Sequence, residues 1–172
     1  WLLPATVANI KGLLQDRETP EWTLASIGEL VRDQQWTELN DRFFKTMKFG
    51  TGGIRGRTIG KIVTGAERGT PTDLGRPQYP AAGTNTMNYD NISRATQGLV
   101  NYVLKDFKPH KEGDRPRIVL SHDTRFFSRE FAEFAAGIIT RMGVDAFLFE
   151  SERSAPELSF AVRHLNAQAG VM

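Results

Sequence analysis

Cysteine is absent from the 172 residues, which excludes disulfides, thiolate metal centres and cysteine catalysis and fits a reducing compartment. Cytoplasmic localisation is the expectation. Histidine is scarce. His110, His122 and His164 are scattered with no pair at the four-residue spacing of a helical metal motif, so no metal site is expected within the chain. No apolar run approaches the about 18 residues of a membrane span. Residues 1–16 lack the basic flank and apolar block of a signal peptide. An excess of one charge is also missing, with 22 basic and 20 acidic residues and a net charge of +2. The densest basic stretch, residues 105–117 (KDFKPHKEGDRPR), carries Asp106, Glu112 and Asp114 as well. It reads as a solvated loop, so neither nucleic acid nor a membrane is an expected partner.

What is present suits a folded domain: 40% apolar and 24% charged residues over a length that can bury a core. Three one-sided apolar stripes predict helices. They are Leu3, Val7, Ile10 and Leu14; Leu24, Ile27, Leu30 and Val31; and Trp36, Leu39, Phe43 and Met47. Together they predict a helical N-terminal arm over residues 1–47. Residues 49–64 (FGTGGIRGRTIGKIVT) predict extended structure broken by turns. Residues 65–83 are rich in Gly and Pro without a period, and predict a mobile or poorly packed loop.

The second half alternates. Ile92, Ala95, Leu99, Val100, Val103 and Phe107 predict a helix with Asp90 or Asn91 as N-cap. A short apolar run at 118–120 predicts a strand. Phe131, Phe134, Ala135, Ile138, Ile139 and Met142 predict a helix with Ser128 as N-cap and Gly143 just past its end. A second strand follows at 146–149, then a helix after Pro156 carrying Leu158, Ala161, Val162 and Leu165. A third strand opens at 169–172. Strand, helix, strand, helix, strand implies an α/β fold: a three-layer αβα domain with a mostly parallel sheet, preceded by the helical arm. Ligands of such sheets bind beyond the carboxyl ends of the strands, where residues 121–125 (SHDTR) and 150–154 (ESERS) stand. The chain opens with Trp1 and closes inside an apolar strand, from which we expect a piece of a longer protein.

The segment with most chemistry is FGTGGIRG, residues 49–56. Clustered glycines let backbone N–H groups approach an anion. Thr51 adds a hydroxyl, and Arg55 adds a planar, permanently charged fork suited to phosphate. It is not a P-loop, because no Gly-Lys-Ser/Thr closes it, and its glycine spacing is not that of a dinucleotide fingerprint. A Gly-rich hairpin with a surface arginine is the alternative reading of the same residues.

This segment resembles the N-terminal signature of the α-D-phosphohexomutases, the phosphoglucomutase and phosphomannomutase family. The likeness extends to WTELNDRFF from Trp36, Thr86-Met87-Asn88 and the helix after it, SHDTR at 121–125, and Ala169-Gly170-Val171-Met172. It covers most of residues 36–172, is poorest over 65–83, and leans towards the phosphoglucomutase branch with phosphopentomutase-like members. The resemblance implies that residues 48–172 are the first domain of such an enzyme, cut just before its phosphoserine loop after Met172. It implies phosphoryl transfer between the C1 and C6 (or equivalent) hydroxyls of a hexose phosphate, by way of phosphoserine and a hexose bisphosphate. No catalytic residue is expected in the chain itself, which alone would be inactive. Arg55, Thr51, Gly52 and Gly53 are the implied phosphate-binding residues, with Asp123 and Arg125 structural near the cleft. Mg²⁺ is implied for the parent with its ligands outside this chain, and the partners are the sugar phosphates and the remaining domains of the same polypeptide. Two other readings stay open: a stand-alone phosphosugar- or anion-binding module without catalysis, and a domain for subunit contacts through its helical arm.

Overall fold

The computed structural model describes every residue of the chain except Thr51 and Asp73. It divides into two compact units, Trp1–Asn91 and Ile92–Met172. The arm boundary expected at 47/48 falls inside the first of them.

In the first unit the three apolar stripes form α1 (Pro4–Gln15), α2 (Glu21–Arg32) and α3 (Trp36–Phe43). Ile10, Ile27, Leu30, Leu39 and Phe43 make their common core. The second stripe is misjudged in part: Val31 is exposed, and Thr23 and Ser26 are buried instead. The physical reason is an ionic centre on that side of α2. Arg42 is fully buried and donates from Nε to Glu38 Oε1 at 2.8 Å, one helical turn away. Its fork also reaches the Glu67 carboxylate and the Ile62 carbonyl. Glu67 further accepts from Ser26 Oγ at 2.9 Å, Ala82 N at 2.9 Å and Thr64 N at 3.2 Å. A buried charge is tolerable only when paired and hydrogen-bonded in this way.

That centre also corrects the reading of residues 65–83. Thr64 and Glu67 form a capping box that starts the short helix α4 (Gly65–Arg68). Tyr79 stacks on Trp22 of α2 with ring centroids 4.8 Å apart. Pro77, Pro80, Ala81, Ala82 and Gly83 are buried. The segment is therefore an excursion anchored at both ends, with Leu74 exposed near its tip. Residues 49–64 differ from expectation too. No strand forms there among the described residues, only an isolated antiparallel bridge between Gly50 and Gly53. Their backbone bonds run to residues 81–87 instead: Ala81 N to Thr58 O at 2.8 Å and Met87 N to Arg57 O at 2.8 Å.

The second unit begins within α5 (Tyr89–Asp106) and continues β1 (Arg117–Leu120), α6 (Ser128–Arg141), β2 (Asp145–Leu148), α7 (Ala155–His164) and β3 (Ala169–Val171). The strands form a parallel sheet in the order β2-β1-β3, with Val119 opposite Phe147 on one side and Gly170 on the other. Ile118 and Leu120 join Val100 and Val103 of α5 and Ala135 and Ile139 of α6 in the core. Val119, pointing the other way along the strand, lies with Phe160 and Ala161 of α7 on the opposite face. The expected three-layer α/β/α arrangement is the one observed.

Helix ends refine the cap assignments. The cap of α5 is Asn88, whose side-chain oxygen accepts the Asn91 amide at 3.1 Å, rather than Asp90 or Asn91. Ser128 is the first residue of α6 and not its cap. Phe127 occupies the cap in a left-handed conformation, φ 68°, with its ring buried. The Ser128 hydroxyl is engaged in accepting the Asp123 amide at 3.0 Å. Gly143 does end α6, with φ 84°. The Gly143 and Val144 amides return to Thr140 O and Ile139 O, the Schellman pattern. Among the described residues no helix is long and apolar enough to cross a membrane.

Candidate functional site

The site is the glycine-rich segment of the first unit. Gly50 N donates to Gly53 O at 2.8 Å, closing a tight hairpin. Gly52 sits in it at φ 74°, a conformation that costs a side-chain-bearing residue about 1–2 kcal/mol. Lys48, Gly50, Gly53 and Arg55 line one cavity of about 350 Å³. Arg55 is exposed and makes no ion pair or hydrogen bond among the described residues. Sequence reading thus brought Gly53 and Arg55 to the cavity. Thr51, the hydroxyl of the same proposal, lies outside the described residues.

The hairpin is held from behind by features that position it. Gly56 lies so close to Met47, Asn85 and Met87 that a Cβ there would stand 3.3 Å from Asn85 O and Met87 N and collide with Met47 Cε. Arg57 pairs with Asp41 of α3. Met47 N donates to Thr84 O at 2.7 Å, and Thr84 Oγ1 to Lys45 O at 2.7 Å. Residues 81–91 form their own polar knot. Thr86 Oγ1 donates to Ala81 O at 2.7 Å, Asn88 Nδ2 to Gly83 O at 2.9 Å, and Asn91 Nδ2 to Thr86 O at 2.8 Å. Thr86 and Asn88, singled out in the sequence, act here as braces of a buried turn. Behind the turn, Gly60 abuts the ionic centre: a Cβ on it would collide with Arg42 Nη2 and lie 2.7 Å from Glu38 Oε1.

Sequence reading missed Lys48 and the Glu38–Arg42–Glu67 centre. Both left signals. Glu38 and Arg42 are four apart, as an intrahelical ion pair requires, and Thr64-x-x-Glu67 is the capping-box spacing. Lys48 directly precedes the motif, two residues before Gly50.

In the second unit Asp123 and Arg125 form a local brace. Arg125 Nε meets Asp123 Oδ2 at 2.7 Å, and the Arg125 amide donates to Asp123 Oδ1 at 3.1 Å. Burial pushes the Asp123 carboxyl up, but the Arg125 amide, the Ser128 hydroxyl and the Arg125 guanidinium together outweigh it and hold the carboxyl below its usual range. His122 is buried in the same loop, and its Nδ1 has no partner among the described residues. Its backbone carbonyl accepts the Arg153 amide at 3.2 Å, tying the β1 loop to the β2–α7 loop. Among the described residues no three His, Asp or Glu side chains converge to hold a metal ion.

Comparison with known proteins adds the following. Residues 80–172 match the family model described as phosphoglucomutase/phosphomannomutase, alpha/beta/alpha domain I. A phosphoglucomutase of Staphylococcus haemolyticus is 35% identical over 141 residues, covering 81% of this chain and 21% of that protein. A phosphoglucomutase of Staphylococcus aureus is 28% identical over 167 residues, covering 95% of this chain and 25% of that protein. One from Staphylococcus epidermidis is 28% identical over 146 residues, covering 85% and 22% respectively. The chain therefore spans only a fifth to a quarter of the length of these curated relatives. No solved structure matches significantly.

Proposed function

Because the chain belongs to the phosphoglucomutase/phosphomannomutase family, whose domain I it matches over more than half its length, we propose that it serves as the first domain of a phosphosugar mutase. In the proposed reaction a phosphoserine gives its phosphoryl group to the free hydroxyl of a hexose phosphate. The resulting hexose bisphosphate reorients and returns its other phosphate to the serine, so that phosphate has moved between C1 and C6 or equivalent positions. The serine and the Mg²⁺ ligands belong, in this reading, to polypeptide that this chain does not include. The domain's task is to hold a phosphate of the sugar while the remaining domains of the same polypeptide supply the rest.

The observation that carries the proposal is Arg55: an exposed guanidinium without a partner among the described residues, on the wall of a cavity that the backbone of Gly50 and Gly53 also lines. A dianionic phosphate needs fixed positive charge during transfer. Arginine offers two parallel donors in one plane, and glycines leave room for phosphate oxygens to approach the chain. Gly52 and Gly53 fit that role through the hairpin they form. Asp123 and Arg125 fit a bracing role, since their charges satisfy each other.

The test is Arg55→Ala in the full-length parent, with turnover and thermal midpoint measured on one preparation. Turnover per folded molecule is expected to fall about ten- to a hundredfold, the worth of one hydrogen bond to a charged group, with the midpoint unchanged. Arg55→Lys should restore only part, because a point charge cannot reproduce the fork. A lowered midpoint with normal turnover per folded molecule would overturn the assignment.

A further inference from the structure

The cavity beside the hairpin carries a second cation, and we propose that Lys48 is a phosphate-binding residue that makes this site prefer the dianion of a phosphomonoester to a monoanionic phosphate. The inference rests on the phosphate reading of Arg55 and goes beyond it in assigning Lys48 and the charge state bound.

Three observations support it. Lys48 and Arg55 line the same cavity, and the other described residues on its wall, Gly50 and Gly53, bring no side chain. Among the described residues no carboxylate lines that cavity. Neither cation has an ion-pair partner among the described residues, whereas three other arginines of the unit do: Arg32 with Asp33, Arg42 with Glu38 and Glu67, and Arg57 with Asp41. Two like charges facing one cavity raise each other's energy, and an anion placed between them removes that cost. One guanidinium balances a monoanion, while two cations match the two charges of a phosphomonoester. The two residues also divide the work. Arg55 presents a rigid fork that fixes orientation, and Lys48 presents a compact charge on a flexible stem that can follow an oxygen as it turns. A cavity of about 350 Å³ is at the small end of ligand sites, enough for a phosphate and part of what it is attached to.

The test uses the purified 172-residue chain at pH 7.5 and two probes. Methyl phosphate is almost wholly dianionic there, since such esters lose their second proton near pH 6. Dimethyl phosphate stays a monoanion. Binding is followed through the amide resonances of Gly50 and Gly53. The unaltered chain should bind methyl phosphate more tightly. Lys48→Ala should weaken methyl phosphate about tenfold, the lower end for a hydrogen bond to a charged group, and bring the affinity ratio of the two probes towards one. Lys48→Arg should keep the preference. Lys48 is exposed, so the thermal midpoint should not move. If Lys48→Ala leaves methyl phosphate binding unchanged, or weakens both probes equally, the role of Lys48 is overturned while that of Arg55 stands. If Arg55→Ala leaves binding unchanged, the underlying phosphate reading falls, and absence of saturable binding by the unaltered chain overturns both.

Discussion

At the residue scale, the decisive position behind the site is Gly60. It has no strained backbone angle, and what requires glycine there is the approach of Arg42 and Glu38. Adding a methyl group must displace the buried guanidinium from its acceptors. Gly60→Ala is therefore expected to cost about 3 kcal/mol, within the range for overpacking and for breaking a buried ion pair. In a chain of this size that is a fall of roughly 6–12 °C in thermal midpoint, which calorimetry would register. A second residue-scale prediction concerns pH. The Asp123 carboxyl titrates below its usual range in the folded protein. Its stabilisation is therefore complete above the ordinary aspartate pKa near 4 and is lost as pH falls through the lower folded value. Arg125 is 80% exposed, so the contribution is less than about 1 kcal/mol. Asp123→Asn should lower urea stability slightly at pH 7 and make no difference at pH 2. An equal deficit at both pH values would contradict the brace.

At the scale of elements, the excursion over residues 65–83 shows how a loop-like composition can be pinned. Its first turn is capped by Thr64 and Glu67, and its return is tied down by Ala82 N on the Glu67 carboxylate and Ala81 N on Thr58 O. Amide exchange should divide the segment. Ala81 and Ala82 are expected to exchange slowly, near the rate set by opening of the whole unit, and Leu74 at the exposed tip within seconds to minutes. Uniformly fast exchange from Thr70 to Ala82 would refute the anchoring. Glu67→Gln should speed exchange at Ala81 and Ala82 in particular, because it removes the charge on which five donors converge: two from Arg42 and one each from Ser26, Thr64 and Ala82.

At the scale of the whole molecule, family membership and the length comparison bear on what the chain does alone. It covers 21% to 25% of its phosphoglucomutase relatives. The described residues bring together cations and glycine backbone at the cavity. The purified chain is expected to bind phosphate without turning it over. A coupled assay for glucose 1-phosphate conversion should read at blank, and conversion above blank would overturn the division of roles proposed here.

The elements themselves were legible because their signals are local. Apolar spacing depends only on the 3.6-residue helical and two-residue strand periods, and it located all three N-terminal helices and the alternation of the second unit. Gly143 was readable for the same reason, since a left-handed residue ending a helix is a local demand met best by glycine. The glycine hairpin and Arg55 were legible as chemistry from residue types alone. What local signals could not carry was where buried polar groups find partners. Ser26, Glu38, Arg42, Thr64 and Glu67 lie up to 41 residues apart in sequence and meet only in the folded unit. Their meeting turned a Gly- and Pro-rich stretch into an anchored one. Ser128 gave up its expected cap because a fully buried Phe127 took that position and Asp123 claimed its hydroxyl. Lys48 came to line the same cavity as Arg55 only once the chain folded. The chain's composition and periodicity thus determined its helices, strands and layer order, and set the glycines and Arg55 in one short segment. The tertiary structure alone decided which charges, among the described residues, would be neutralised internally and which would not, because pairing depends on distances between residues that the sequence keeps far apart.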